Sequence, residues 1–220
     1  MTLTKLNREI ISCRKCPRLV AWREQVARDK RRAYQNWDYW GKPVPGFGDP
    51  HARVFVIGLA PGAHGSNQTG RQFTGDASGN FLYPALYRAG FANQLESSHR
   101  EDGLVLTDLY TSPVCCCAPP ENKPTQQEML NCQPYLEREL ALIKPKVIVV
   151  LGRIAFDSVI RIYSIRNSGW KFSHAAQFHL PDGTWVLCSY HPSQQNTLTG
   201  RLTSPMFDQI WRQARELFDQ

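Results

Sequence analysis

The segment RVFVIG (residues 53–58) is an apolar run of strand length that ends in a glycine. Runs of the same kind follow at LVLTDL (104–109), KVIVVLG (146–152) and WVLCSY (185–190). Each run is apolar almost without interruption, as is typical of strands that are buried on both faces. Helical patterns separate the runs, and strands that alternate with helices predict a parallel sheet covered by helices on both sides.

The helical segments begin and end at recognisable signals. They are expected at 3–12, at 77–89, from the T-x-x-E capping box of Thr125 and Glu128 to about Ile143, at 153–163, and from Ser204-Pro205 to the C-terminus. We find no internal repeat and no low-complexity segment, so the whole chain, residues 1–220, is expected to form a single α/β domain.

The composition excludes several classes of protein. The chain has 220 residues, 42% of them hydrophobic and 11% aromatic, which is enough to bury a sizeable core and excludes intrinsic disorder. Lysine and arginine number 26 against 19 aspartates and glutamates, and the net charge of +7 favours a polyanionic partner. No apolar run approaches the ~20 residues of a membrane span. The N-terminus also lacks the apolar core of a signal peptide, so we expect a soluble, intracellular protein.

Seven cysteines are present, and three of them, Cys115, Cys116 and Cys117, are consecutive. Adjacent cysteines pair poorly with each other and the count is odd, so a metal or cluster site is favoured over a disulfide framework. Cys188 lies inside a strand, where burial as a small apolar side chain is the better interpretation.

The cysteine spacing indicates one set of four thiols. Cys13-x2-Cys16 at a helix end, together with Cys117-x14-Cys132, suits either zinc or an iron–sulfur cluster, and the spacing does not choose between them. Either of the two cysteines before Cys117 could take its place. The alternative is that these thiols are buried apolar side chains.

Three further segments follow predicted strands, where ligands bind in parallel sheets. They are GLAPGAHGSN (58–67), CAPPENKPT (117–125) and YHPSQQN (190–196). The first is not a Walker loop, because no Gly-Lys-Ser/Thr closes it. Its small residues allow the backbone to approach a flat ligand or an anion closely, and they are Gly58, Ala60, Gly62, Ala63 and Gly65.

Polar candidates lie in and beside these segments. Asp76, three residues after Phe73, precedes a helix, where a chemical role and a plain N-cap are both open. His191 leaves a strand end with Ser193 close behind, so it is placed to donate a hydrogen bond to a substrate oxygen. Asn122 lies between prolines; its amide can read a base edge with a donor and an acceptor, or it can stabilise a turn.

Taken in order, GLAPGAHGSN, FTGD, CAPPENKPT and YHPSQQN resemble the B-type (family 5) branch of the uracil-DNA glycosylase superfamily. The similarity covers nearly the whole chain, including CRKCPRLVAWRE and the PVPGFGDP segment before the first strand. It implies a three-layer α/β/α sandwich with a central four-stranded parallel sheet. It also implies a [4Fe–4S] cluster formed by the N-terminal segment and residues 113–132, with the ligands Cys13, Cys16, Cys117 and Cys132.

The resemblance further implies roles in catalysis. Other branches carry a polar residue where this chain has Ala60, and Asp76 is the proposed substitute in this branch. Phe73 would stack on a base flipped out of DNA, Asn122 would read its edge, and His191 would hydrogen-bond the uracil O2. The rest of the substrate site would be formed by Gly58, Gly62, Ala63 and Ser193.

These roles predict a DNA repair enzyme that hydrolyses the N-glycosidic bond of uracil and leaves an abasic site. Uracil opposite guanine would be favoured, because flipping a base costs least at a mismatch. The small side chains of the pocket imply that larger deaminated bases such as hypoxanthine enter as well. No lysine of the motifs is placed to form a Schiff base, so a monofunctional glycosylase is expected, with a cluster that serves structure and DNA positioning.

The expected partner is double-stranded DNA, or also single-stranded DNA, that contains a deaminated base. The resemblance favours a monomer in a prokaryotic cytoplasm, associated with the nucleoid through DNA. Two other functions remain open: a non-catalytic iron–sulfur module that binds damaged DNA, and an enzyme for free nucleotides or nucleosides. A salt-dependent affinity for duplex DNA would separate the last from the other two.

Overall fold

A computed structural model describes residues 2–165 and 169–219 and contains a six-stranded sheet. Its strands are β1 (Phe47–Gly48), β2 (Val54–Gly58), β3 (Leu109–Pro113), β4 (Val147–Leu151), β5 (Gln177–His179) and β6 (Trp185–Ser189). They lie in the order β1-β3-β2-β4-β6-β5. The four central strands are parallel, whereas β1 and β5 pair antiparallel at the two edges. The predicted α/β class and its four parallel strands are confirmed.

The sheet is larger than the sequence predicts. The edge strands β1 and β5 have only two and three residues, and their side chains are partly or fully exposed. Strands this short and this exposed leave no apolar run for a sequence pattern to detect.

The strand predicted at 104–109 is wrong in its position, because β3 begins only at Leu109. Leu106 forms an isolated bridge, and Asp108 has a φ of 59°, which interrupts the extended chain. Inside β3, Ser112 is 1% exposed and donates a hydrogen bond to the buried Glu139. A serine is more typical of a loop than of a buried strand, and its partner Glu139 is distant in the sequence. The sequence pattern therefore places the strand too early.

Eight α-helices occur in the described ranges. They are α1 (Leu3–Ile11), α2 (Pro17–Asp29), α3 (Ser66–Thr69), α4 (Ala77–Arg88), α5 (Gln126–Ile143), α6 (Arg153–Ile162), α7 (Gln194–Leu198) and α8 (Ser204–Phe218). Five of them match the predicted segments, and the Thr125–Glu128 capping box of α5 is present. The short helices α3 and α7 were not predicted, nor was α2, which Pro17 begins at the first helical position. None of the described helices is long and apolar enough to cross a membrane.

Alternate residues of the central strands face two different helical layers. One face packs Val54, Val56, Val147 and Val149 against α4 and α8. The other face packs Phe55, Ile57, Ile148 and Val150 against α5 and α6. Burial of each such side chain contributes roughly 1.5–3 kcal/mol. The predicted three-layer α/β/α arrangement is therefore confirmed.

Candidate active site and cysteine cavity

The carboxyl ends of the parallel strands meet at one edge of the sheet, and the motif segments begin there. The Gly58 carbonyl at the end of β2 accepts a hydrogen bond from the backbone N–H of Val114, just after β3 (2.9 Å). On the other side, the N–H of Gly152 donates to the Ser189 carbonyl at the end of β6 (2.8 Å). These bonds hold the glycine loop (residues 58–65), the segment after β3 and the segment after β6 beside one another.

Asp76 lies between the glycine loop and the start of α4. Its Oδ1 accepts hydrogen bonds from the backbone N–H groups of Ser78 and Gly79, each 3.0 Å long, so the side chain caps the helix. Its Oδ2 faces the loop: a Cβ added to Gly62 would stand 2.9 Å from Oδ2, and one added to Gly65 would overlap it. The N-cap role and a chemical role use different oxygens and are therefore compatible.

The surroundings of Asp76 act on its charge in opposite directions. Burial raises the pKa of the carboxyl above its ordinary value, while the hydrogen bonds from Gly79 and Ser78 lower it. Those amides belong to the N-terminus of α4, whose dipole also favours a negative charge. A carboxylate held in this way is poorly hydrated, so its field acts strongly on a cation placed beside it.

Phe73 forms a flat apolar wall at the end of β2. A Cβ added to Gly58 would stand 2.7 Å from Cζ of Phe73, so the ring lies on the glycine backbone. Its centroid is 6.3 Å from that of the His191 ring, with an angle of 37° between the planes. Phe73 has a φ of 50°, an unfavourable conformation that persists only where the surrounding structure holds it.

His191 stands at the end of β6. Its carbonyl accepts a hydrogen bond from Nδ2 of Asn196 (2.8 Å), which fixes the turn into α7, and Ser193 occupies the N-cap position of that helix. Burial lowers the pKa of His191 to about 4. The imidazole is therefore neutral at pH 7, with one N–H donor and one acceptor nitrogen.

Three further predicted site residues have the following surroundings. Ala60 packs against the cysteine-containing cluster, and the Ala63 carbonyl accepts a hydrogen bond from Asn67 (3.4 Å). Asn122 is exposed and has a φ of 57°. In the described part of the chain, no hydrogen bond joins its side chain to Phe73, Asp76 or His191. The base-reading role of Asn122 therefore stays a prediction.

One pair of side chains at the glycine loop was not predicted from the sequence. Nδ1 of His64 lies 3.1 Å from the hydroxyl of Tyr39, and the rings meet edge to face at 6.1 Å. Burial, and then the charge of Arg31, lower the pKa of His64. His64 is part of the GLAPGAHGSN motif, but its partner Tyr39 comes from a separate loop, so the sequence does not show the pair.

A buried ion pair close to Phe73 in the sequence was not predicted either. Arg71 contacts both carboxylate oxygens of Asp102, at 2.7 and 2.6 Å, and the two side chains are 3% and 7% exposed. Arg71 also donates to Thr74 (2.9 Å) and Ser97 (2.9 Å). These contacts hold the chain between Phe73 and Asp76. No sequence pattern marks this pair, because its partners come from separate loops.

A second feature is a cavity between α2 and α5, named here the cysteine cavity. Its lining includes the four predicted ligands Cys13, Cys16, Cys117 and Cys132. Cys116 lines it as well. Its other walls include Lys15, Asn131 and Tyr135. Cys115 is fully buried nearby, and all seven cysteines are free thiols.

Two side chains donate hydrogen bonds to sulfur at this cavity. Nη1 of Arg23 lies 2.9 Å from Sγ of Cys117, and Nδ2 of Asn131 lies 3.3 Å from Sγ of Cys16. Burial raises the pKa of both thiols, whereas these donors lower it and so favour the thiolate. Within the residues that the structure describes, no group of three or more His, Cys, Asp or Glu side chains is arranged to hold a metal ion.

Known proteins resemble this chain over most of its length. A family model of the uracil DNA glycosylase superfamily matches residues 45–215. The type-5 uracil-DNA glycosylase of Thermus thermophilus is 50% identical, covering 94% of this chain and 94% of the relative. Proteins of the same name from Mycobacterium leprae and Pyrobaculum aerophilum are 48% and 42% identical, covering 98% and 93% of this chain and 96% and 88% of the relatives.

The family match covers well over half of the chain, and these relatives extend it to nearly the whole length. The predicted resemblance is thereby confirmed: the chain belongs to the uracil-DNA glycosylase superfamily and is similar to its type-5 members.

Proposed function

We propose that this chain is a DNA repair glycosylase, which flips uracil out of DNA, hydrolyses its N-glycosidic bond and leaves an abasic site. The observation that carries the proposal is the position of Asp76. Its Oδ2 faces the glycine loop at the carboxyl end of β2, and the neighbouring Phe73 and His191 rings stand 6.3 Å apart. The group combines a carboxylate, an aromatic wall and a neutral donor.

The flipped base would lie on the Phe73 ring, beside the backbone of the glycine loop. Stacking on an aromatic side chain is worth ~1–3 kcal/mol per base. The Phe73 ring lies on the Gly58 backbone, and the adjacent Thr74 accepts a hydrogen bond from Arg71, which is paired with Asp102. The stacking surface therefore exists before the base arrives and does not have to be ordered by it.

Breaking the bond between C1′ and N1 leaves the electron pair on uracil and a positive charge on the sugar. His191 is neutral at pH 7, because burial lowers its pKa to about 4. It can donate an N–H to the O2 atom, where part of the negative charge develops, as a donor does in an oxyanion hole. Backbone amides of the glycine loop would add further donors.

Asp76 would act on the other side of the bond. Its carboxylate stabilises the positive sugar and accepts a proton from the water that adds to C1′, while the uracil anion takes up a proton in turn. Ala60 cannot take this role, because its side chain has no polar atom. In mutational studies of other enzymes, positioned acids and bases contribute about 10²–10⁴-fold to a rate.

The cysteine cavity would hold a [4Fe–4S] cluster through Cys13, Cys16, Cys117 and Cys132. The thiols line one cavity, and the donors Arg23 and Asn131 point at two of them. Each thiolate of such a cluster binds a different iron atom, so its ligands need not converge on one point. Glycosidic hydrolysis moves no electrons, and the cluster would therefore serve to tie α1, α2 and α5 together.

The exposed surface near His191 suits a flipping enzyme. Leu198, at the end of α7, is 81% exposed, more than any other large hydrophobic side chain of the described residues. An apolar side chain inserted into the base stack fills the space that a flipped base leaves. The net charge of +7 favours binding to double-stranded DNA, and also to single strands.

Monofunctional chemistry and a broader range of bases are also part of the proposal. Lys123, the lysine of the four motifs, is exposed and pairs with Glu121 at 3.2 Å, which supports a glycosylase without lyase activity. The small residues of the glycine loop would admit hypoxanthine. The protein would act as a monomer in a prokaryotic cytoplasm.

The experiment is release of uracil from a duplex that carries one U opposite G, scored by cleavage of the abasic strand with alkali. The same duplex with C in place of U is the control, and the iron content of the protein is measured on the same sample. We expect release by the wild type and loss of release in Asp76→Asn with DNA affinity retained. Tight binding without release would instead indicate a module that binds damaged DNA.

A further inference from the structure

Arg23 connects the two features of this molecule that sequence motifs mark separately. It lies on α2 and is 2% exposed. On one side, Nη1 donates to Sγ of Cys117 (2.9 Å) and Nη2 donates to the carbonyl of Cys13 (3.3 Å). Its guanidinium thus faces two segments of the cysteine cavity.

Among the described residues, the one ion pair of Arg23 is long and is shared with another arginine. The nearest carboxylate is that of Glu24, 3.8 Å from Nη2, and Glu24 is already bound by Arg14 at 2.5 Å. Nε of Arg23 is buried and has no hydrogen-bond partner among the described residues. A buried cation without a close counter-ion is costly, so its environment must supply negative charge from elsewhere.

The backbone of the same residue faces the glycine loop. The carbonyl of Arg23 accepts a hydrogen bond from Nδ2 of Asn67 (3.3 Å), a side chain with 0% exposure. The N–H of Asn67 in turn donates to the carbonyl of Gly62 (3.0 Å), and Gly62 is one of the glycines against Asp76. Two hydrogen bonds of Asn67 therefore connect Arg23 with Gly62, which lies against the Asp76 carboxylate.

We propose that Arg23 is a positioning residue that balances the negative charge of the cluster at Cys117 and couples the cluster to the glycine loop through Asn67. The inference rests on the cluster assignment in the proposed function. Four thiolates around an iron–sulfur core carry a net negative charge, which is the charge that the buried guanidinium lacks. Hydrogen bonds and charges beside the sulfur atoms set the reduction potential of such clusters.

The test compares Arg23→Gln, Arg23→Lys and the control Arg28→Gln in the iron-loaded full-length protein. Arg28 is an exposed arginine on the same helix. The measurements are the reduction midpoint of the cluster and the rate of iron loss to a chelator. We expect Arg23→Gln to have a more negative midpoint and faster iron loss, Arg23→Lys to lie between it and the wild type, and Arg28→Gln to match the wild type.

A midpoint and a rate of iron loss that stay at the wild-type values in Arg23→Gln would overturn the role at Cys117. If Arg23→Gln does not fold, Arg23→Lys decides by the same measurements. Uracil release is measured separately, so the two proposals can fail independently. If the wild type holds the cluster and Arg23→Gln shifts its midpoint, but the wild type releases no uracil, the inference is supported and the proposed function is rejected. A wild type without iron rejects the cluster assignment and the inference with it.

The coupling to the glycine loop is tested with Asn67→Ala. We expect this variant to keep the wild-type iron content and midpoint, because the Asn67 side chain bonds the backbone carbonyl of Arg23 and not its guanidinium. Uracil release should slow several-fold, since the loop against Asp76 loses its link to α2. Release at the wild-type rate would contradict the coupling.

Discussion

The Oδ2 atom of Asp76 lies so close to the backbone of Gly65 that a Cβ atom at position 65 would overlap it. Gly65 has a φ of −120°, which is outside the left-handed region. The carboxylate occupies the space that a side chain at this position would need. A Cβ added to Gly62 would stand 2.9 Å from the same oxygen, so both glycines leave space for the Asp76 carboxylate.

We expect Gly65→Ala to lower the rate of uracil release by about 100-fold, because the new methyl group displaces the carboxylate from the sugar, and displaced catalytic groups commonly cost about this much. Gly62→Ala should have a smaller effect, since its Cβ stands farther from Oδ2. The measurement is single-turnover release from a U:G duplex. Gly183→Ala is the control for backbone strain without a contact to Asp76, because Gly183 has a φ of 91° and its added Cβ would meet nothing within 4 Å. Equal rates in Gly65→Ala and the control would contradict this account of the loop.

The rate of uracil release should depend on the ionisation of Asp76. The carboxylate is the active form, so activity is present above the folded pKa and is lost as the pH falls through it. Burial raises that pKa above 3.8, and the acid limb of the profile should therefore begin at a higher pH than for an exposed aspartate. Single-turnover rates measured across acidic pH test this expectation. The residual activity of Asp76→Asn should lack the acid limb, and an unchanged limb in that variant would assign it to another group.

Burial of neutral His191 should make stability depend on pH. Its pKa is lowered from 6.5 to about 4 in the folded protein, so between these values the unfolded chain binds a proton that the folded chain does not. The contribution of neutral His191 to the free energy of unfolding is fully present above pH 6.5 and decreases as the pH falls toward 4. The midpoint of thermal unfolding should drop less between pH 7 and pH 5 in His191→Asn than in the wild type. Equal drops would show that His191 does not contribute.

The Arg71–Asp102 pair should be important for stability because both side chains are buried. Asp102→Asn leaves the guanidinium without its counter-ion, and breaking a buried pair costs about 3–5 kcal/mol. Asp157→Asn is the control, because Asp157 pairs with Arg153 at an exposed i,i+4 site where about 0.5 kcal/mol is expected. Urea unfolding measures both free energies. A loss in Asp102→Asn as small as in the control would contradict the role of the pair.

Leu198 should matter only where a base must leave a duplex. We expect Leu198→Ala to slow uracil release from a U:A duplex by about tenfold, since the inserted side chain offsets part of the unstacking energy of a few kcal/mol. Release from single-stranded DNA should stay near the wild-type rate, because no stacked pair has to be opened. Val105→Ala, at another exposed apolar position (56%), is the control. Equal losses on both substrates would assign Leu198 to general DNA binding.

Local signals were sufficient to predict much of the fold. Apolar runs predict β2, β4 and β6. The capping box of Thr125 and Glu128, a signal only four residues long, predicts the start of α5. The strand β3 was misplaced because Ser112 is buried through Glu139, 27 positions away, and so does not look like a core residue. Signals that act within one turn or one strand can be read from a sequence, whereas partners from distant segments cannot.

The sequence by itself determined the parallel α/β fold, the family, and the residue types of the candidate site, because these depend on periodicity and on short motifs. Only the tertiary structure decided that Oδ2 of Asp76 meets Gly65, that Arg71 pairs with Asp102, and that Arg23 contacts Cys117, 94 positions away. Each of these contacts depends on which loops the sheet order brings together. That order follows from the packing of the whole chain, because burial of the apolar strands and helices sets it and no single segment contains it.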